Sequence, residues 1–414
     1  MTVIGVARRM VDRQPWQVKR YGVEWMMAGG PRVGKISLLT LDYPPIEGGI
    51  SRYLHDVVRR MPMGKIRIVG LSAPHHREFD ELAVVAVERL PIPTRWRDFR
   101  WQLKFFAPIY LIGLLGHRDA ECLLCGQAHY SIMIPAWMMS RLRNIPYGIF
   151  AHGLDILHPQ TTKYGPIFNR LLRAADVVFA NSLMTKQALL EIGVQPSRIS
   201  LLYPGIQPAR MTVLREQAVE VLQRHSLHGK KCILTVGRLV ERKGQDVVIR
   251  AMPLVLAEVP TAHYLIVGRG AYEPALRRLV TELELEAHVT FAGFVEDDEL
   301  PAYYAASELF VMTSRAIESR GDIEGFGIVF LEASLMGKPI VAGKSGGVTE
   351  AVLHNETGLL IDPNNEEEVA ESLIILLNDK ELRERLGQTG RQRVLDDFSA
   401  DTMAERVLAK LADL

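Results

Sequence analysis

At 414 residues the chain exceeds one ordinary domain and is long enough for two, each with its own core. A hydrophobic share of 48% with 23% charged residues excludes a disordered chain, and three cysteines are too few for a disulfide framework. The net charge of +1 conceals an asymmetry: residues 1–207 hold 26 Lys/Arg against 15 Asp/Glu, residues 208–414 hold 23 against 33. The basic first half suits an anionic partner such as nucleic acid, a membrane surface or a phosphorylated acceptor; sign complementarity between two domains would leave the same imprint.

Residues 1–34 carry Trp16, Trp25, Met26 and Met27 among basic residues with no clear period, and read as an extension. Arg8, Arg9, Asp12 and Arg13 break any signal-peptide core, and no apolar run reaches the roughly 18 residues of a spanning helix. From residue 35 short apolar runs alternate with helical patterns, the signature of βαβ units and parallel sheets. Strands are expected at 36–41, 66–71, 121–125, 147–151, 177–180 and 199–202. Gly48-Gly49 opens a helix over 51–61, a place where backbone approaches a phosphate or an acceptor closely. Residues 95–106, Arg-Trp-Arg-Asp-Phe-Arg-Trp-Gln-Leu-Lys-Phe-Phe, mix cations with aromatics, and 107–116 is mostly apolar. That composition fits a helix on an anionic membrane surface, or equally a core helix with a basic outer edge. Cys122-Leu-Leu-Cys125 reads as a buried strand rather than a redox or metal motif, with cysteine as a small hydrophobe. His152-Gly153-Leu-Asp155 places polar groups at a strand end, and Ser182 is an expected N-cap.

The segment 203–208, Tyr-Pro-Gly-Ile-Gln-Pro, is a hinge candidate, after which the pattern restarts. Strands are expected at 232–236, 263–267, 289–291, 309–312 and 339–342, with a helix over 245–258. Gly237-Arg-Leu-Val-Glu-Arg-Lys-Gly244 places Arg238 and Lys243 in a glycine-bounded loop, a charge pattern that a leaving diphosphate requires. Gly268-Arg-Gly270 begins like a dinucleotide fingerprint but lacks its third glycine, which disfavours an NAD-dependent oxidoreductase. Glu296-Asp-Asp-Glu299 reads as a helix N-terminus rather than a metal site. Glu324-Gly-Phe-Gly-Ile-Val-Phe-Leu-Glu332 reads as a flexible loop turning into a buried helix, with two carboxylates eight positions apart. Eight helical residues advance roughly 12 Å, about the reach from a sugar across a diphosphate to a ribose. A solvated amphipathic helix is the competing reading. Gly346-Gly347-Val-Thr-Glu350 presents backbone N–H groups and a carboxylate near the same cleft.

In order and spacing these segments resemble the retaining glycosyltransferases of family 4. The resemblance covers about residues 35–400. It rests on Gly48-Gly49-Ile50, His152-Gly153, Gly237-Arg238 with Lys243-Gly244, Val267-Gly268, Gly293-Phe-Val295, Glu324 through Glu332, and Gly346-Gly347 with Glu350. It implies the α/β GT-B fold, two Rossmann-like parallel-sheet domains facing a central cleft. The acceptor-binding domain would span 35–205 and the nucleotide-sugar domain 206–395, with a final helix in 396–414 crossing back to the first. It also implies that Arg238 and Lys243 bind the donor diphosphate, that Glu324 holds the donor sugar with His152 in contact, and that Glu332 holds the ribose. Gly293, Phe294 and Val295 would frame the base, Gly268, Gly325, Phe326, Gly327 and Ile328 would line the donor, and Gly48 and Gly49 the gap between donor and acceptor. Arg269 departs from the pattern, standing where the family often has an acid. Asp42-Tyr-Pro-Pro-Ile-Glu-Gly-Gly-Ile50 and Arg320-Gly-Asp-Ile-Glu324 are similar to the phosphatidylinositol mannosyltransferase branch, which favours GDP-mannose.

The implied reaction moves a sugar from a nucleoside diphosphate sugar to an acceptor hydroxyl, on a membrane lipid or a growing glycan, with retention and without an obligatory metal or other cofactor. The implied setting is the cytoplasm, with peripheral contact at the inner face of an anionic membrane and no nucleic-acid partner. A GT-B nucleotide-sugar epimerase and a non-catalytic nucleotide-sugar-binding protein are the alternatives.

Overall fold

The computed structural model describes residues 33–414 apart from residues 47, 94–101, 162–163, 318 and 320–321. The expected extension over 1–34, the membrane-surface reading of the side chains at 95–106 and the contribution of Arg320 therefore lie outside the described residues, save for Val33 and Gly34.

Two all-parallel sheets carry the chain. The first contains β1 (Ile36–Leu39), β2 (Ile66–Ser72), β3 (Ala86–Pro93), β4 (Cys122–Cys125), β5 (Tyr147–Ala151), β6 (Val177–Ala180) and β7 (Ile199–Leu201), in the spatial order β3-β2-β1-β4-β5-β6-β7. The second contains β8 (Lys231–Val236), β9 (Ala262–Val267), β10 (Val289–Gly293), β11 (Leu309–Met312), β12 (Ile340–Gly343) and β13 (Gly358–Ile361), in the order β10-β9-β8-β11-β12-β13. Strands such as β4 and β9 are buried along their whole length because helices cover both faces, which is why they read as unbroken apolar runs. The cysteines fit this account: all three are free and buried, and burial pushes the thiols of Cys122 and Cys232 up to about 12.

Strand order reverses between β1 and β4 in the first sheet and between β8 and β11 in the second. In open parallel sheets such reversals leave a crevice at the carboxyl ends of the strands. The loops at these points contain Gly48-Gly49 after β1, Arg238 and Lys243 after β8, and Glu324 after β11.

The helix Gln102–Leu115 departs from a simple membrane-surface reading of 107–116. Tyr110 and Leu114 are fully buried in the first domain's core with Val69, Leu71 and Leu90, and the Tyr110 hydroxyl donates to the Thr40 carbonyl at 2.6 Å. Only its outer face is apolar and open, with Ile112 at 66% and Leu115 at 54% exposure. The inner half of the run is apolar because it packs on β2 and β3.

The connection after β7 is pinned by the far end of the chain. The Ile206 amide donates to the Phe398 carbonyl at 2.8 Å, and Gly205 lies so close to Ala400 that a Cβ would fall 2.6 Å from its Cα. The helix Ala400–Ala412 then packs on the helix Gly49–Val58, with Met403, Val407, Leu408 and Leu411 completing a cluster that includes Leu54, Val57, Val58 and Leu202. Arg60 pairs with Asp401 along this contact, and the buried Asp56 carboxylate holds both Arg60 at 3.7 Å and Arg210 at 3.3 Å.

Candidate active site

The carboxyl ends of the two sheets face each other, and the glycine-rich segments meet there. Gly325 is the tightest point: a Cβ at this position would lie 2.2 Å from the His152 carbonyl oxygen of the first domain. Only glycine allows the two backbones this approach. On either side of it, a Cβ on Gly49 would lie 3.9 Å from the Ile328 side chain, and Glu350 reaches the other way. The Glu350 carboxylate accepts hydrogen bonds from the amides of Leu183 at 2.6 Å and Met184 at 3.3 Å. Those amides open the helix Leu183–Ile192, whose third helical N–H is capped by Ser182 as expected. Glu350 therefore ties the domains together by capping a helix, with its charge at the favourable end of the dipole.

In the second domain, Glu324 is a buried carboxylate, 8% exposed, on which two cations converge. Arg242 donates to its Oε2 at 2.5 Å, and the Lys243 ammonium lies 2.6 Å from the same oxygen. Arg242 also pairs with Asp322 through Nε at 2.9 Å. Burial alone would raise the Glu324 pKa, but the charges and hydrogen bonds of Lys243 and Arg242 overcome it and hold the group at about 2. Burial, reinforced by the neighbouring Arg242, lowers that of Lys243 against the opposing pull of Glu324. Because the Glu324 pKa is depressed in the fold, its contribution to stability is present above the ordinary carboxylate value of 4.5 and is lost as pH falls toward about 2. Chemical denaturation between pH 5 and 2 should therefore show an acid-side loss of stability that Glu324→Gln flattens; an unchanged acid limb would refute the pairing.

Arg242 is one residue that the sequence pattern missed. It sits in the marked 237–244 loop, but its partners Asp322 and Glu324 lie some 80 residues away, and the visible signal was only a third cation beside Lys243. The loop is seated by Thr313, whose hydroxyl donates to the Gly244 carbonyl at 2.7 Å, and by the Arg315 amide bonded to the Arg242 carbonyl at 2.8 Å. Arg238 is exposed at its mouth.

Glu332 lies in the helix Ile328–Leu335 and is also buried. Its Oε2 accepts from the hydroxyl of the fully buried Tyr304 at 2.8 Å, and its Oε1 from Arg52 at 3.1 Å. Glu324 itself precedes that helix, so the helical rise separates the two carboxylates over only part of their spacing. His152 has its ring Nε2 against the Gly126 carbonyl at 2.9 Å; a carbonyl only accepts, so Nε2 carries a proton. The half-buried Asp155 accepts from the amides of His152 at 2.8 Å and Ala128 at 2.9 Å and fixes this loop.

Gly268 closes β9 against Gly237, and its amide donates to the Gly293 carbonyl at 2.7 Å, so the ends of β8, β9 and β10 form a continuous shelf. Phe294 is half-buried on that shelf, with the Arg269 guanidinium 5.5 Å over its ring. Two expected donor contacts are corrected here. The Phe326 side chain is buried between Tyr203 and Phe398 at ring distances of 5.5 and 5.7 Å, and Val295 is buried in the second domain's core. Both are held there by apolar packing, so only their backbone can face a ligand. Among the described residues no group of three His, Cys, Asp or Glu is placed to hold a metal ion.

Comparison with known proteins agrees with this arrangement. Residues 47–210 match the Glycosyltransferase Family 4 description and residues 220–393 match Glycosyl transferases group 1. A Mycobacterium tuberculosis protein named GDP-mannose-dependent alpha-(1-6)-phosphatidylinositol monomannoside mannosyltransferase is 31% identical over 394 residues, covering 92% of this chain and 98% of its own. The chain belongs to glycosyltransferase family 4. A Mycolicibacterium smegmatis protein of the same name is 29% identical, with 91% and 97% coverage. Among solved structures, Anabaena Alr3699/HepE in complex with UDP superposes with a TM-score of 0.78 at 22% identity, over 92% of this chain and all of that one. WaaG, a glycosyltransferase of lipopolysaccharide biosynthesis, gives 0.68 at 18% identity, over 90% and 99%. The fold of this family 4 enzyme is thus GT-B, and its activity is hexosyl transfer from a nucleotide sugar with retention.

Proposed function

We propose that this glycosyltransferase moves mannose from GDP-mannose to a hydroxyl of a membrane glycolipid. The observation that carries the reading is similarity along both domains to relatives named as GDP-mannose-dependent mannosyltransferases of phosphatidylinositol mannosides. The site's chemistry supports it. Lys243 and Arg238 neutralise the donor diphosphate, aided by the backbone N–H groups that open the helix Ile328–Leu335. Glu324 holds the hydroxyls of the donor sugar, with His152 on the opposite wall, and Glu332 takes the ribose. Gly293, Phe294 and the backbone of Val295 frame the base. The backbone of Gly268 and of Gly325 through Ile328 lines the donor, while Gly48 and Gly49 border the gap to the acceptor.

Neither glutamate has the freedom of a nucleophile or general base: one oxygen of Glu324 is committed to two cations and one of Glu332 to a tyrosine. The departing phosphate instead accepts the proton of the attacking hydroxyl, on the face from which it leaves. Charge develops on that phosphate in the transition state, and fixed cations stabilise it there without reorganisation.

The basic first half, net +11 over residues 1–207, would draw the enzyme to an anionic membrane that carries the acceptor. Thermal-shift screening against GDP-, UDP- and ADP-sugars, followed by transfer assays on liposomes bearing phosphatidylinositol mannoside, tests the reading. GDP-mannose should stabilise the protein most and yield elongated glycolipid. Stabilisation by a UDP-sugar alone would overturn the donor, and donor turnover without acceptor would point to epimerisation.

A further inference from the structure

Arg52 belongs to the first domain, one turn into the helix Gly49–Val58, yet its guanidinium ends in the nucleotide side of the second domain. One nitrogen donates to Glu332 Oε1 at 3.1 Å, and the other pairs with Asp297, which lies just beyond the Gly293–Val295 base segment. The other oxygen of Glu332 is committed to the hydroxyl of Tyr304, a residue with no exposure and no room to withdraw. Oε1 is therefore the oxygen that Glu332 can turn to a ligand, and Arg52 is on it. A ribose presents two adjacent hydroxyls that both donate to a carboxylate. Binding both of them to Glu332 brings them onto the oxygen that Arg52 already holds.

We infer that Arg52 is a positioning residue for donor binding: in the donor-free enzyme it holds Glu332 aimed, and it yields that oxygen to the ribose hydroxyls. Donor and first domain compete for one carboxylate. When the nucleoside arrives, Arg52 falls back on Asp297, and one of the links between the domains is released. The Glu350 link to the helix Leu183–Ile192 does not involve the nucleoside and stays. The inference rests on the placement of the ribose at Glu332 proposed above, and not on which base or sugar the donor carries.

Calorimetric titration of GDP and of inorganic pyrophosphate into wild-type, Arg52→Met and Arg52→Lys proteins tests it. Pyrophosphate has the charge of the donor but no ribose, so the readout is the ratio of the two affinities. If the Arg52-bound form makes up about nine-tenths of the donor-free population, removing it tightens GDP about tenfold relative to pyrophosphate. Lysine keeps a charge but cannot span both carboxylates, and should give an intermediate ratio; it also serves if the methionine variant fails to fold. A ratio that stays at the wild-type value, or that falls because Arg52 is itself a donor ligand, would overturn the inference. Wild-type protein that binds neither GDP nor UDP would instead overturn the nucleotide-sugar reading.

Discussion

Replacing Lys243 with alanine is expected to lower kcat by about 100- to 1000-fold while the protein stays folded, the scale set by loss of one preorganised stabilising group from a buried site. Arg242 explains why the fold survives. It remains on Glu324 at 2.5 Å and on Asp322 at 2.9 Å, so the buried carboxylate keeps a counterion when the lysine is lost. The lysine is worth more to the reaction than to the structure because the diphosphate gains charge only as the glycosidic bond breaks. An interaction that strengthens in the transition state appears in kcat, whereas one equally strong in the ground state appears in KM. Single-turnover kinetics with saturating donor, alongside circular dichroism, separates these effects. A Lys243→Ala enzyme that transfers sugar at the wild-type rate would refute its assignment to the diphosphate. A folded protein with only a raised KM would limit Lys243 to donor capture.

Gly325→Ala is expected to lower kcat/KM by about 100-fold, the cost of misplacing reacting groups by about an ångström. The added methyl would lie 2.2 Å from the His152 carbonyl and 3.2 Å from the Asn181 amide nitrogen, both in the first domain. The Asn181 atom is the Nδ2 of a side chain, but the His152 carbonyl is backbone and cannot swing aside, so the backbones must part. Separation of the domains relieves the clash without opening either core, because the clusters on the two sides are built independently. The expected signature is a nearly unchanged unfolding midpoint, a larger radius of gyration in small-angle scattering, and weak activity. Full activity, or unfolding with no change of shape at lower temperature, would sink this account.

How much of this was legible in the sequence depends on where each element's partners lie. The buried strands β4, β8 and β9 announced themselves because a parallel sheet covered on both faces demands continuous apolar residues. Two of the four edge strands, β3 and β13, did not. β3 carries Glu88, Arg89, Pro91 and Pro93, tolerated because an edge strand has one unpaired side, and β13 is four residues long. At the site, Lys243, Glu324 and Glu332 were visible as residue types in glycine-bounded segments. Their partners were not: Arg242 with Glu324 and Arg52 with Glu332 join positions 82 and 280 residues apart, which no local pattern reveals. Phe326 misled because it sits between two glycines that border the cleft, whereas its ring turns inward to Tyr203 and Phe398. Glu350 was visible as a carboxylate after a glycine pair, but its partners, two backbone amides of the other domain, leave no mark on side-chain composition.

The return of the last helix onto the first domain sets an order of events during synthesis. Leu54, Val57 and Val58 near the start of the chain share a cluster with Met403, Val407, Leu408 and Leu411 near its end. While the ribosome is still making the second domain, the first has no cover for this apolar face. Nascent chains halted before residue 400 would expose it, and exposed apolar surface on a partly made protein is what chaperones recognise and what drives aggregation. The first domain is thus translated early but matures last, only after the final helix has emerged.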